Sequence, residues 1–283
     1  MSENIVSGEE DWQAWVGRKE TIHELIAPDR AAALGATLGL EGNRAAGAPL
    51  PPGWHWIFFN RVVPRQQLGT DGHPRRGGFL PPVSLPRRMW AGGRLTYHKP
   101  LTIGREAERE STIVKVEAKS GRAGKLVFVT VSHSIGCDGA LCITEQQDIV
   151  YRGAAAPGAP APAAAPAPQD GAWSEEFRPD TVLLFRYSSL TSNGHRIHYD
   201  QAYARAEENY PDLVVHGPLT ATLLQGFAER HAGKPLKSFE FRGVSPLFVS
   251  SAFKLEGKGD ASALDLWAGG PNGALAMRAA AEV

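Results

Sequence analysis

Residues 153–171 read GAAAPGAPAPAAAPAPQDG, a stretch with no side chain able to build a core. Proline stiffens such a tract toward extended polyproline II and alanine adds little bulk, which predicts a semi-rigid, solvent-exposed linker. The chain must therefore bury its apolar residues in two lots, 1–152 before the tract and 172–283 after it. Its 283 residues are enough for two ordinary domains.

Both lots show the same order of elements. In the first, Trp12, Trp15 and Val16 lie at helical spacing, and 21–26 is a short apolar run suited to a strand. Pro28 and Asp29 then open an alanine-rich segment to Leu38, as at a helix N-terminus. A long region rich in Gly, Pro and Arg follows, from 39 to about 93. It holds PPGWHWIFFN at 51–60, fit for a short buried helix or a strand, and PRRMWAGG at 86–93. A loop this long inside a domain usually has a function or covers something. Strand candidates come next at 94–98, 107–117, 125–135 and 141–151, several separated by glycine turns. Val127, Val129 and Val131 alternate with Phe128, Thr130 and Ser132, as in a sheet with one face more buried.

In the second lot, 181–187 reads as a strand, and Asp200 can cap a short helix through about Glu208. Leu219, Leu223, Leu224, Phe227 and Ala228 fall on one face of a helix that Gly233 and Pro235 end. Strand candidates at 236–244, 247–255, 263–268 and 274–281 close the chain. Helix followed by antiparallel strands occurs twice, an α+β pattern with duplicated architecture.

Composition narrows the function classes. Lys plus Arg and Asp plus Glu both number 30, which leaves no electrostatic footprint for nucleic acid or an anionic membrane surface. No stretch approaches the roughly 18 apolar residues of a membrane span. The acidic, polar start MSENIVSGEEDWQAW does not resemble a signal or transit peptide. Cys137 and Cys142 are the only cysteines. They suit a reducing cytoplasm and small packing roles rather than a disulfide framework.

Chemically able residues concentrate at 185–224, which holds three of the nine histidines, His195, His198 and His216. His198 is the best general acid/base candidate, since imidazole titrates near neutral pH. It competes with a plain capping or surface histidine. Asn193 can donate from its amide to a bound water, or can simply serve the Asn-Gly turn. His216, Gly217 and Pro218 open the apolar helix, where free N–H groups and a partial positive charge suit a carbonyl oxygen becoming anionic. A metal held by His195 and His198 with His216 or Asp200 fits no well-specified zinc spacing. Arg87, Arg88, Arg186, Arg196 and Arg242 are candidates for gripping a phosphate or carboxylate.

TSNGHRIHYD followed by VVHGPLTATLL resembles the signature of MaoC-like (R)-specific hydratases, and RRMWAGG at 87–93 resembles their two-domain subgroup. That subgroup comprises 3-hydroxyacyl-thioester dehydratases and mesaconyl-C4-CoA hydratases. The resemblance implies a double hotdog: two domains, each an antiparallel sheet wrapped around a central helix. The second domain's helix would run from Leu219 to about Ala232. The first domain, lacking acid and histidine around 33–43, would carry a degenerate site and help form the acyl-CoA groove.

By position, the resemblance makes His198 the catalytic histidine and Gly217 the residue whose N–H polarises the thioester carbonyl. Asn193 replaces the family's aspartate and His195 its asparagine. Asp200 is a substitute carboxylate only if it is free from capping. His195, Arg196, Tyr199, His216, Arg88, Trp90 and Arg242 are the implied substrate-binding residues. The implied activity is addition or removal of water across the α,β double bond of an enoyl-CoA, with mesaconyl-C4-CoA as the expected substrate. Coenzyme A would be part of the substrate, with no further cofactor, and a homodimer is compatible. The alternatives are a fatty 3-hydroxyacyl-thioester dehydratase, an acyl-CoA thioesterase and a non-catalytic acyl-CoA binding module.

Overall fold

Alternating burial along the strands closes two sets of antiparallel ladders, and these meet in one sheet. The computed structural model describes residues 11–121, 124–153 and 164–283. The first half supplies β1 (Lys19–Leu25), α1 (Pro28–Leu38), β2 (Arg87–Tyr97), β3 (Glu106–Gly121), β4 (Gly124–Cys137) and β5 (Ala140–Arg152). The second supplies β6 (Trp173–Phe177), α2 (Thr181–Thr191), α3 (Gln201–Ala206), α4 (Gly217–Ala232), β7 (Ser238–Gly243), β8 (Phe253–Gly259), β9 (Ala263–Gly269) and β10 (Leu275–Glu282). Strand order is β1-β3-β4-β5-β2-β7-β10-β9-β8-β6. The halves thus join edge to edge at β2 and β7, with Gly92 opposite Arg242 and Thr96 opposite Ser238.

Glycine makes that joint possible. A Cβ on Gly92 would stand 2.5 Å from the Phe241 carbonyl oxygen, and one on Gly93 would stand 3.0 Å from that of Gln146. A bulge between Trp90 and Gly92 re-aims β2 at the same place. The RRMWAGG run is therefore strand, with its glycines at the seam.

α4 is enclosed by the second half's sheet. Leu219, Ala221, Leu224, Phe227 and Ala228 are fully buried, and so is Gln225. A helix covered on so many sides is a core helix rather than a surface one. The oxygen of Gln225 is paired across the seam: the Tyr97 hydroxyl of β2 donates to its Oε1, while the Gly53 N–H donates to Tyr97 at 3.1 Å. Asp200 caps α3 through Tyr203 N–H at 3.0 Å, and Gly233 ends α4 in the left-handed conformation, both as the sequence predicts.

Three expectations change. Residues 181–187 are helical: Asp180 caps α2 by accepting from Leu183 N–H at 2.7 Å, and Leu183, Leu184 and Tyr187 are buried at helical spacing. Val182 and Phe185, which a strand reading would bury, are exposed. Within 247–255 only the last residues enter β8. Before it, Leu247 accepts from Val215 N–H, and Val249 N–H donates to Leu213, so this segment braces the chain entering α4. Most of the Ala/Pro tract, 154–163, lies outside the described residues. Its end is not solvent-exposed throughout: Ala167 is buried, its N–H donates to the Gly273 carbonyl, and Leu275 N–H donates to Ala165. Backbone groups give the tract a docking partner that its side chains do not supply. Of the two options at 51–60, the helical one holds, as a buried 3-10 turn at Trp54–Ile57.

Part of the long first-half region folds over the second half. Gly69 N–H donates to the His73 carbonyl and Arg75 N–H to that of Gln67, which closes a tight loop. Gly72, at φ +89°, lies so close to Gly194 that a Cβ there would overlap the Gly194 carbonyl oxygen. Arg196 N–H donates to the Asp71 carbonyl at 2.9 Å, and its guanidinium reaches the Thr70 carbonyl at 3.2 Å. Backbone meets backbone here because neither glycine has a side chain.

The first half also buries a carboxylate. Glu145 accepts from Trp56 Nε1 at 2.9 Å, Gln147 Nε2 at 2.9 Å and His55 Nε2 at 3.1 Å. Burial alone would raise its pKa. The hydrogen bond from His55 and the nearby histidine charge outweigh burial and hold it at about 2.

Two outcomes are expected. Glu145→Ala leaves buried donors unpaired and lowers stability by about 3 kcal/mol or more in urea unfolding at neutral pH. Because the folded pKa is depressed, the contribution is whole above the unfolded value of about 4.3 and fades as pH falls toward about 2. A wild-type–variant gap that stays constant down to pH 2 would contradict this. Gly72→Ala should speed hydrogen exchange at Arg196 N–H while leaving the first-half core protected; unchanged exchange would disprove the clasp.

Candidate active site at the seam of the two halves

The polar turn after α2 is built by local hydrogen bonds. Asn193 N–H donates to the Ser188 carbonyl, and Asn193 Oδ1 accepts from His195 N–H at 3.0 Å. The amide oxygen thus closes an Asx turn, and its NH₂ remains able to donate. A 3-10 turn follows at Arg196–His198, anchored by buried Ile197.

His198 is buried, and its Nδ1 lies 2.7 Å from the Val214 carbonyl. A carbonyl only accepts, so Nδ1 carries the proton and Nε2 presents a lone pair. Burial pushes the ring's pKa down to about 4, against the opposing effect of the Val214 hydrogen bond. The imidazole is therefore neutral, and a base, throughout the neutral range.

His216 stacks on His198 with ring centroids 3.6 Å apart, its Nε2 2.8 Å from Ser188 Oγ. It is the N-cap of α4, so the stack fixes where the helix begins relative to His198. Gly217 comes next. Its N–H has no partner among the described residues, and a Cβ there would meet nothing within 4 Å. An unpaired donor at a helix N-terminus with open space before it suits an oxygen that gains negative charge.

His195 stands edge-on to His198 at 5.6 Å and lies 4.2 Å from His73 of the first half. Burial, then the neighbouring His73 and His198, push His195 down to about 2. His73 is held by Asp71, which accepts from His73 N–H and from its ring Nδ1, both at 3.0 Å. Burial raises the Asp71 carboxyl, but these bonds and the His73 charge outweigh it and keep it far below the usual carboxylate range. His73 is itself lowered, by burial first and by Arg88 among its neighbours, against the pull of Asp71.

Of the residues expected at the site, the structure brings together His195, His198, His216, Gly217 and the Asn193 turn, with Arg88 near enough to disfavour charge on His73 and His195. Others are placed differently. Arg196 is engaged by Asp200 at 2.7 Å and lies over the Tyr203 ring at 4.1 Å. Asp200, with one oxygen on the α3 cap and the other on Arg196, is no substitute carboxylate. Tyr199 is half exposed, its hydroxyl donating to the Gly194 carbonyl. Trp90 packs edge-on against Trp56 and Phe241, with its N–H on the Gly92 carbonyl. Arg242 is exposed on the sheet face opposite buried Phe239 and Phe241, because side chains alternate along β7; the site does not receive it.

Asp71 and His73 were not read from the sequence. Their signal is an Asp-Gly-His turn inside the long region suspected of covering something. Asp71, His73 and His195 offer ligand atoms within 4.8 Å of one another, so a cation could be held there. Both Asp71 oxygens, however, already accept from His73.

Neutral imidazoles with free lone pairs, an open helix N-terminus and a nearby guanidinium suit proton transfer next to a polarised carbonyl. The model of the family "hydroxyacyl-thioester dehydratase type 2" matches residues 53–249. The chain is 49% identical to the mesaconyl-C(4)-CoA hydratase of Chloroflexus aurantiacus, over 96% of this chain and 98% of that one. A solved MaoC-like dehydratase superposes with a TM-score of 0.74 at 15% identity, covering 96% of this chain and 99% of its own. A Mycobacterium tuberculosis protein with a double hotdog fold superposes at 0.58 and 15% identity, covering 94% and 96%. The fold is a double hotdog, and the chain belongs to the hydroxyacyl-thioester dehydratase type 2 family.

Proposed function

We propose that this protein adds or removes water across the α,β double bond of an acyl-CoA thioester, with mesaconyl-C4-CoA and its hydrated citramalyl-CoA form as the substrate pair. One observation carries the reading: the ring of buried His198, with its Nε2 bare, stacks on His216, the residue directly before the open, unpaired N–H of Gly217. The thioester carbonyl is held at Gly217 N–H, which stabilises the enolate-like transition state. His198 Nε2 accepts a hydrogen bond from water and aims its oxygen at Cβ. The Asn193 amide helps to orient that water by donation. Coenzyme A enters only as part of the substrate.

Arg88 supports the diacid. A mono-CoA diacid carries a free carboxylate that needs a cation, whereas a fatty chain needs an apolar tunnel. Arg87 is paired with Glu208, Arg94 with Asp148 and Arg196 with Asp200. Arg88 has no carboxylate partner among the described residues, and its charge is felt at His73, His195 and Tyr151. The relative from Chloroflexus aurantiacus, named for the same diacid thioester, agrees. Among the described residues no helix is long and apolar enough to cross a membrane, and both cysteines are free and buried, which fits the cytoplasm.

The test is loss of enoyl-thioester absorbance with mesaconyl-C4-CoA, crotonyl-CoA and a longer enoyl-CoA. His198→Ala should lower turnover by about 10²–10⁴-fold with the fold intact. Arg88→Ala should raise KM for the diacid ester by roughly 10-fold or more, as expected for a lost charge-assisted hydrogen bond, and leave crotonyl-CoA little affected. Preference for the longer chain would instead mark a fatty-acid dehydratase, and thiol release without hydration a thioesterase. Because His198 must be neutral to accept, kcat/KM should not fall on its account until pH drops toward about 4. A His198-dependent loss already complete at pH 6 would refute that environment.

A further inference from the structure

The site has a base, but among the described residues no anion is hydrogen-bonded to it. A proton taken up by His198 would make an imidazolium whose Nδ1–H faces only the neutral Val214 carbonyl, in a buried position. The family's aspartate position is filled by Asn193, whose oxygen is engaged by His195 N–H. A carboxylate does reach the ring cluster, from the other half of the chain. We propose that Asp71 and His73 form a carboxylate–imidazole dyad that carries the proton in this site, in the role left open by Asn193. This rests on the hydratase reading above.

Geometry supports the assignment in three ways. First, Asp71 Oδ2 accepts from His73 Nδ1 at 3.0 Å and Oδ1 from His73 N–H at 3.0 Å, so the ring is fixed in one orientation with Nε2 free. An ionised carboxylate in that position stabilises the imidazolium that forms when Nε2 takes a proton, as in other base–orienter pairs. Second, the His73 ring lies against His195, which stands edge-on to His198, so His73 belongs to the same cluster as the base. Third, the loop is seated for this purpose by backbone: Gly72 against Gly194, and the Asp71 carbonyl on Arg196 N–H two residues from His198. The groups facing His73 are Asp71, His195, Arg88 and Arg76, one anion among cations and a neutral ring.

The step balances without another reactant. In hydration the water oxygen bonds to Cβ while one of its O–H bonds breaks and the proton passes to His73 Nε2. The double-bond pair moves to Cα and is shared with the thioester carbonyl at Gly217. His73, now an imidazolium held by Asp71, gives the same proton to Cα and returns to neutral. His198 Nε2 accepts the water's other O–H, which stays in the product hydroxyl.

The experiment compares wild type, His73→Ala, Asp71→Asn and His198→Ala on mesaconyl-C4-CoA, with circular dichroism and urea unfolding confirming folded protein. His73→Ala should lose about 10²-fold or more in kcat with KM little changed, and added imidazole should restore part of it. Asp71→Asn should lower kcat less. It should also move the acid limb of the pH profile to lower pH, because the carboxylate that favours protonated His73 is gone. Wild-type kcat in His73→Ala overturns the dyad, as does a loss confined to KM or absence of imidazole rescue. Activity that a chelator removes and a divalent metal restores also overturns it, by making Asp71, His73 and His195 a metal site. If wild type hydrates the ester and His73→Ala does so equally, the dyad alone fails. If wild type hydrates none of the thioesters, the hydratase reading fails and takes the dyad with it.

Discussion

The ladder between β2 and β7 is the contact on which the rest of the molecule depends. It joins five first-half strands to five second-half strands, and it exists because Gly92 and Gly93 let Phe241 approach where any side chain would collide. Once the sheet is continuous, Tyr97 of the first half can donate to the buried Oε1 of Gln225 in α4, and Arg87 can reach Glu208. Arg30, which also pairs with Glu24, donates to the Leu190 carbonyl at the end of α2. Each of these bonds crosses between the halves, and each removes a polar group from the list of those a buried seam would otherwise leave unpaired.

Desolvation sets the chemistry of the histidine cluster. Four imidazoles stand ring to ring, from His73 through His195 and His198 to His216, and burial disfavours charge on all of them. Such an array is stable because its members are neutral. Adding one proton is costly unless an anion sits nearby, and Asp71 is held against the end of the row. The same neutrality leaves the positive end of α4 and the Arg88 and Arg76 guanidinium groups as sources of positive potential, which is the polarity an anionic thioester transition state needs.

Much of this was legible in the sequence where the signal is local. The α4 periodicity, its glycine stop and the Asp200 cap each lie within one short stretch, and each formed as read. Short apolar runs were harder. Residues 181–187 suit strand and helix alike, and the deciding feature was the Asp180 cap just before them. Contacts made at long range left no trace to read. Asp71 and His195 are more than a hundred positions apart in the chain, and no periodicity links an Asp-Gly-His turn to the ring it meets. Arg242 shows the reverse error: a cation in a promising segment points away, since β alternation and not composition decides its face.

The order of strands also dictates a sequence of events in biosynthesis. β7 lies next to β2 and is made directly after α4, but β10, which pairs with both β7 and β9, is made after all the other strands. Until β10 is inserted, β9, β8 and β6 have no ladder to the seam, and α4 lacks part of the surface that encloses it. The nascent second half must therefore hold an apolar helix and open strand edges from the completion of α4 until the chain's last residues are made. A finished first half can present β2 as a template at that time, so the molecule is best protected from aggregation when its two halves fold in chain order.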